Sequence, residues 1–399
     1  MFTPCPTQRS RILADRVEAF VREVVAPYER DPRNGPHGPS VDLVAELRAL
    51  AREAGVMTPH VLPDGEHLTH QETAAVLKRS GLSPLGPVAV NTMAPDEGNM
   101  FLLGKVATAE QKQRFLTKLL SGQARSAFFM TEPAEDEGAG SDPSMLKTTA
   151  RFTGDEWVID GTKTFITGAD GAEVGIVMAR TDDGDRARAS MFLVGLPHPA
   201  VKIVKVLDTI DSSMPGGHSR VAIDGLRVPA SAVLGELHRG LDYAQIRLSP
   251  ARLSHCMRWL GAATRAHEIA VEYAARRHAF GKRLIDHEGV GFMLADNLTD
   301  LQQSALMIDW CASVLDSGSL GTTESSMTKV AVSDALFRVA DRCVQTMGGS
   351  GVSRDSIVEQ VFREVRAFRI YDGPTEVHKW SLAKKIKRVA LEGDYRAGR

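Results

Sequence analysis

The hydrophobic period of this chain changes twice, and that change limits the folds open to it. Between residues 7 and 29, Leu13, Val17, Phe20, Val21, Val24 and Val25 recur at three- and four-residue spacing, as on one face of a helix. Leu43, Leu47, Leu50 and Ala54 repeat the pattern and Gly55 ends it. Near residue 126 the period shortens. The stretch 154–167 reads as two short strands about an Asp160-Gly161 hairpin turn, and strand-like runs follow at 174–179, 191–195, 201–206 and 220–228. After Pro229 the helical period returns, with long helices expected over 241–278, 289–315 and 323–346 and shorter ones beyond. Helices, strands and helices in succession describe an α+β chain with segregated layers. The expected units are an all-α domain over 1–125, a central β domain over 126–236, and a C-terminal helical bundle over 237–399.

Composition narrows the classes of function. The chain has 399 residues, enough for two or three packed units. Its 48 basic and 50 acidic residues leave a net charge of −2, and 43% apolar with 25% charged residues is ordinary for a soluble globular protein. Disorder, a collagen-like rod and a nucleic-acid-coating role are all disfavoured. No uninterrupted apolar run is long enough to span a bilayer, and residues 1–11 lack the apolar stretch of a signal peptide, so a cytoplasmic location is expected. Cys5, Cys256, Cys311 and Cys343 are dispersed with no C-x-x-C spacing, which suits reduced thiols. Twelve histidines include no H-E-x-x-H; His67 and His70 form the one weak pair, and no metal is expected.

The common nucleotide and nucleophile signatures are absent: there is no G-x-x-x-x-G-K-[ST], no G-x-G-x-x-G between strand and helix, and no G-x-S-x-G. Three clusters remain. The first, over 130–142, begins Met130-Thr131-Glu132-Pro133 and ends Gly138-Ala139-Gly140-Ser141-Asp142. It is either a surface connector or a loop whose backbone N–H groups and hydroxyls meet a polar ring edge. The second, Arg276-Arg277-His278-Ala279-Phe280-Gly281-Lys282-Arg283, closes a long helix. Its cations either answer the helix dipole or fork onto a pyrophosphate beside a stacked ring. The third runs from Gln345, Gly348 and Gly349 to Tyr371-Asp372-Gly373-Pro374. Asp372 there is either a turn-forming residue or a carboxylate aimed into a cleft.

Taken together, in this order, the clusters resemble the acyl-CoA dehydrogenase family over roughly residues 10 to 390. The family's T-E-P-x-A-G-S-D segment is similar to Thr131-Glu132-Pro133 and Gly138 to Asp142, with an acidic insertion between them. Its W-I-T is Phe165-Ile166-Thr167 here, its R-x-x-F-G is Arg277 to Gly281, and its Q-x-x-G-G-x-G starts at Gln345. The resemblance implies an N-terminal helical domain, a central β-barrel or sandwich domain and a C-terminal four-helix bundle.

The resemblance also implies a site. FAD would meet Met130, Thr131, Ser141, Phe165, Ile166 and Thr167, with the Thr167 hydroxyl near flavin N5. Arg277, Phe280, His287, Glu288, Gln345, Gly348 and Gly349 would hold the cofactor of a neighbouring subunit, which implies a homodimer or homotetramer. Glu288 stands where Gln is usual, losing a donor if ionised. Glu376 is counted with the cofactor contacts, although at the start of a last helix it also suits the dipole. Ser141, Ser249, Arg252, Tyr371 and Gly373 would contact an acyl-CoA thioester.

The resemblance departs at the base. Common members carry Glu in a Y-E-G-T turn, whereas this chain has Asp372, and the alternative helix position is Ala251. The Asp-Gly-Pro turn, with 94–100 (Ala-Pro-Asp-Glu-Gly-Asn-Met) and Pro215-Gly216-Gly217-His218, resembles a branch whose eukaryotic members are fused to kinase-like domains. Asp372 would take the α-proton, with burial expected to raise its basicity. Its backbone N–H and a flavin ribityl hydroxyl would stabilise the thioester oxyanion. The β-hydride would pass to flavin N5, and electrons would leave to an electron-transfer flavoprotein. The alternatives are a flavin oxidase of a small carbon acid of the nitroalkane type, a dehydrogenase of carrier-protein-bound acyl groups, and a catalytically silent acyl-CoA-binding flavoprotein.

Overall fold

Thr7 and Ser40 each turn a hydroxyl back onto a free backbone N–H, of Ser10 and Leu43, and so open helices α1 (Gln8–Phe20) and α2 (Val41–Glu53). The computed structural model describes residues 7–62, 65–136, 138–140, 142–181 and 188–391. The first helical run reaches Arg30, but its last two turns relax into a π turn (Val21–Val25) and a 3-10 turn (Ala26–Arg30), the latter holding Pro27, which cannot donate. A reciprocal cap between Thr69 and Glu72 starts α3 (His70–Ser80). Helix α4 (Asp96–Val106) follows, its first turn carrying Asp96 and Glu97.

Seven strands form the middle layer: β1 (Ser126–Phe129), β2 (Thr149–Phe152), β3 (Glu156–Thr167), β4 (Val174–Arg180), β5 (Ala189–Gly195), β6 (Val201–Leu207) and β7 (His218–Pro229). Their order is β1-β4-β2-β3-β7-β6, with β5 also on β4. The hairpin expected at Asp160-Gly161 is not there. Residues 156–167 run as one strand, and the register against β7 slips between Ile159 and Gly161. Gly161 serves a bulge: a Cβ on it would fall 2.4 Å from Thr148 Oγ1, while Asp160 Oδ1 accepts from Gly225 N at 2.7 Å. An Asp-Gly pair fits a bulge as well as a turn, which is why the letters alone misled.

The chain then returns to helices: α5 (Gly240–Arg276), α6 (Glu288–Asp316), α7 (Thr322–Met347), α8 (Val358–Phe368) and α9 (Thr375–Leu391). Among the described residues no helix is long and apolar enough to cross a membrane.

The packing does not follow the three-part division of the sequence. Leu43 and Leu47 of α2 and Leu77 of α3 belong to the same apolar core as Leu253 and Trp259 of α5, Ile308 of α6, Val332 of α7 and Phe368 of α8. A second core joins Leu102 and Leu103 of α4 to Ile176 and Leu193 of the sheet. A third, with Phe129, Trp157, Phe192 and Val221, fills the sheet's own interior. The helices at the two ends of the chain thus form one body, and α4 and α5 connect it to the sheet.

Candidate active site

Two adjacent faces of α5 build the site. On one, Arg247, Ala251, Ser254 and Arg258 lie at spacings of four, three and four residues and so share a stripe. That stripe meets the start of α4. Arg247 Nε donates to Asn99 Oδ1 at 2.8 Å, Ser254 Oγ donates to Glu97 Oε2 at 2.6 Å, and Arg258 Nη1 lies 3.8 Å from the same carboxylate. A Cβ on Gly98 would touch Ala251 Cβ at 3.4 Å. Asn99 and Asp96 tie this layer to the sheet, Asn99 through the Ser126 hydroxyl and Asp96 through the Ser126 N–H and hydroxyl.

On the other face, Arg252, His255 and Trp259 meet the turn between α8 and α9. Arg252 Nε donates to the Asp372 carbonyl at 3.1 Å, His255 Nε2 lies 3.4 Å from Asp372 Oδ2, and Trp259 Nε1 donates to the Tyr371 hydroxyl at 2.5 Å. Asp372 and Gly373 are both left-handed, at φ 52° and 99°. That conformation is uncommon for a residue with a side chain and is held here by what surrounds it. Lys329 of α7, 1% exposed, donates to the Tyr371 carbonyl at 2.6 Å and the Gly373 carbonyl at 2.5 Å. His378 Nε2, 3.2 Å from the Asp372 carbonyl, completes the clamp. It also explains the glycine, since a Cβ at Gly373 would fall 2.7 Å from His378 Nε2.

The electrostatics reverse one expectation. Burial alone would raise the Asp372 pKa, but the His255 contact and the charges of Arg247 and Lys329 outweigh it and hold the carboxyl well below the ordinary range. Burial lowers Lys329 to about 8 despite the opposing pull of Asp372. His255 is also lowered, first by burial and then by Arg258. Because Arg258 Nη2 faces His255 Nδ1 at 3.1 Å and a guanidinium only donates, Nδ1 is the acceptor and Nε2 carries the proton toward Asp372.

A second group lies where the sheet meets the helices. Lys163, fully buried and lowered to about 8 by desolvation, donates to Glu132 Oε1 at 3.0 Å and to the Met130 carbonyl at 3.2 Å. Glu132 also accepts from the Lys147 and Thr148 N–H groups, so the 130–132 segment is pinned from both sides. The Thr131 carbonyl accepts from Thr164 N. Phe165 is left-handed at φ 53° and 59% exposed, Ile166 beside it is buried, and the Thr167 hydroxyl is 2.9 Å from His218 Nδ1. Ser141 lies outside the described residues.

A third group collects at the end of the bundle. One hydrogen bond from Asn297 to Cys343 and the 3.5 Å approach of Asn297 to His267 bring the C-terminal halves of α5 and α7 beside the N-terminal half of α6. Arg277, Phe280, Glu288, Gln345, Gly348 and Gly349 are exposed there, and His287 Nε2 is 3.1 Å from the Ala279 carbonyl. Arg277 is 22 residues along from His255, about 33 Å of helix. Glu376 is exposed in the first turn of α9. Ser249 is buried and its hydroxyl finds no partner among the described residues; Thr346 and Thr375 share that condition.

Of the residues gathered at this turn, the sequence singled out Asp372, Arg252, Tyr371 and Gly373 but not Arg247, His255, Lys329 or His378. A signal existed: Arg247, His255 and Arg258 fall among the buried positions of α5, where a solvated charge has no place.

The chain matches three family models: acyl-CoA dehydrogenase N-terminal domain over residues 7–123, middle domain over 127–218 and C-terminal domain over 238–387. It belongs to the acyl-CoA dehydrogenase family. It is 34% identical over 402 residues to acyl-CoA dehydrogenase family member 11 of Gallus gallus, an alignment that covers 94% of this chain and 51% of that protein. The chain therefore spans about half the length of that relative. Among solved structures, a putative acyl-CoA dehydrogenase from Mycobacterium abscessus is 34% identical with a TM-score of 0.87, covering 98% of this chain and 100% of the other. A glutaryl-CoA dehydrogenase from Mycobacterium smegmatis in complex with FADH2 is 25% identical with a TM-score of 0.82, covering 98% and 96%. The α+β architecture of acyl-CoA dehydrogenases, with helices at both ends around a curled sheet, is the architecture of this chain.

Proposed function

We propose that this chain catalyses FAD-dependent α,β-dehydrogenation of an acyl-CoA thioester to the trans-2-enoyl-CoA, with Asp372 as the base. The observation that carries the reading is the clamped turn: four buried groups from three helices hold Asp372 in a left-handed backbone conformation, three through carbonyls of the turn and His255 through the carboxylate. Strain held by that many contacts marks a site of function rather than a connector.

The residues present suit a flat ring system. Phe165 and Phe280 are both left-handed and present exposed rings, Phe280 at 94%, and the Thr131 and Thr167 hydroxyls bracket the first of them along the chain. FAD bound along Met130, Thr131, Phe165, Ile166 and Thr167 would accept the β-hydrogen as a hydride. Asp372 takes the α-proton onto its carboxylate. The Asp372 N–H, which donates to no acceptor among the described residues, is available to the oxygen on which charge develops. The orphaned Ser249 hydroxyl offers the thioester a further polar contact. Arg252 holds the turn from below, and the Tyr371 ring, anchored inward on Trp259, fixes the neighbouring residue.

The distance along α5 supports a homodimer or a pair of dimers as the working assembly. Arg277, Phe280, His287, Glu288, Gln345, Gly348 and Gly349 lie too far from the turn to complete the same chain's site, and a second copy would use them. An electron-transfer flavoprotein is the proposed electron acceptor, and the cytoplasm the proposed location.

Asp372→Asn tests the base. The variant is expected to bind FAD and acyl-CoA yet reduce the flavin about 10²–10⁴-fold more slowly in anaerobic stopped-flow. Reduction at the unmodified rate would remove Asp372 from the mechanism.

A further inference from the structure

The Pro215-Gly216-Gly217-His218 segment has no part in the mechanism above, yet its histidine is built into a relay. His218 Nε2 lies 2.8 Å from Asp211 Oδ2, and Nδ1 lies 2.9 Å from the Thr167 hydroxyl. Asp211 is 5% exposed, and His218 with its proton holds that carboxylate below the usual range against the opposing effect of burial. An ionised carboxylate only accepts, so Nε2 carries the ring proton and, in a neutral ring, Nδ1 bears a lone pair. The Thr167 hydroxyl must then spend its hydrogen on His218. What it presents on its other side is an oxygen with lone pairs and no proton.

The relay is braced from the bundle. Glu364 of α8, fully buried, accepts from Ser212 N at 2.7 Å and Ser213 Oγ at 2.8 Å, and Arg363 donates to the Ile210 carbonyl at 2.6 Å. The loop that carries Asp211 is thus fastened to the helix that leads into the Asp372 turn. Gly217 lies against His37, whose Cβ would be 3.1 Å from an added Cβ there.

We propose that His218 is a positioning residue that makes Thr167 a hydrogen-bond acceptor, so that the site favours the reduced flavin. The inference rests on FAD lying with N5 at Thr167. Oxidised N5 is an acceptor and gains nothing from a hydroxyl oxygen without a free hydrogen, whereas reduced N5 carries a hydrogen that this oxygen can receive. The ring of His218 therefore determines which redox state Thr167 complements, without itself touching the cofactor.

Potentiometric titration of the purified holoenzyme tests this, beside the His218→Leu, Asp211→Asn and Thr167→Val variants. His218→Leu frees the Thr167 hydroxyl to donate to oxidised N5. Asp211→Asn keeps the ring but lets an amide donate to Nε2, which moves the proton to Nδ1 and reverses the hydroxyl, by the tautomer logic known for catalytic triads. Both are expected to shift the oxidised-to-reduced balance about tenfold toward oxidised FAD, a fall of about 30 mV for the two-electron couple. In the Thr167→Val background neither should cause a further fall. Nitrogen NMR of His218 at about pH 8, above the ordinary imidazole range, should show the Nε2–H tautomer. A yellow protein whose potential is unmoved in both variants, or an Nδ1–H or doubly protonated ring, overturns the inference alone. A colourless protein that takes up no added FAD overturns the cofactor reading and this inference with it.

Discussion

His255 Nε2 stands 3.4 Å from Asp372 Oδ2 while its Nδ1 accepts from Arg258, so a neutral ring aims its one proton at the proposed base. That contact favours the ionised carboxylate. Replacing His255 by Leu removes a hydrogen bond to a charged group, worth roughly 1.5–3 kcal/mol, or roughly one to two pH units. The acid limb of the flavin-reduction rate should therefore move up in pH by that amount. A more basic Asp372 should leave the alkaline plateau equal or faster. A limb that stays in place would show that His255 does not act on this carboxylate.

Lys329→Met sets two large effects against each other. The ammonium is lowered from 10.5 to about 8 by burial, so its removal recovers on the order of 3 kcal/mol. The Tyr371 and Gly373 carbonyls lose their donor, at about 1–3 kcal/mol each. Global stability should therefore fall between a gain of about 1 and a loss of about 3 kcal/mol in denaturant titration. Flavin reduction should nevertheless slow by roughly ten- to a hundredfold, because a small displacement of the base is costly. Unfolding with normal kinetics in the surviving fraction would assign Lys329 to the core alone.

Glu364 gives stability a pH dependence. Burial, with Asp211 nearby, raises its carboxyl from 4.5 to about 7, so between those values the folded chain binds the extra proton and the unfolded chain does not. Its contribution is full below about 4.5 and is lost as pH rises through about 7, at most about 3 kcal/mol. Glu364→Gln should raise the melting temperature near pH 8 and leave it nearly unchanged near pH 5. The same gain at both values would contradict the assignment.

Glu132 and Lys163 form a fully desolvated pair. Glu132→Ala leaves the Lys163 ammonium buried without its partner and should cost about 3–5 kcal/mol in denaturant unfolding. Adding Lys163→Met should recover most of that loss. Failure of the second substitution to rescue would place the energetic weight on the Thr148 and Lys147 contacts instead.

Much of this was legible in the letters. The period changes located the helices and strands because burial imposes spacing, and the Tyr371 to Pro374 turn marked itself by Asp, Gly and Pro in succession. What misled or stayed hidden depended on context. Asp160-Gly161 reads as a hairpin, and only the Thr148 side chain pressing on Gly161 shows why it is a bulge within a strand. Lys329 and Arg247 were not singled out, because no spacing rule reveals that a carbonyl or an amide oxygen 42 or 148 residues away accepts their hydrogen bonds. The basicity of Asp372 was misjudged for the same reason: burial was foreseen, and the donors that oppose it were not.

The shared core of α2, α3, α5, α7 and α8 makes the sheet an excursion. The polypeptide leaves a half-built helical body after α4 and comes back with α5 to finish it, so the first 125 residues and the last 160 share one interior. Severed at either border, a fragment would show water the faces that Leu43, Leu77, Trp259 and Phe368 now hide from it. The names given to the three parts describe their architecture. As an object that must assemble, this chain builds one helical body from both of its ends.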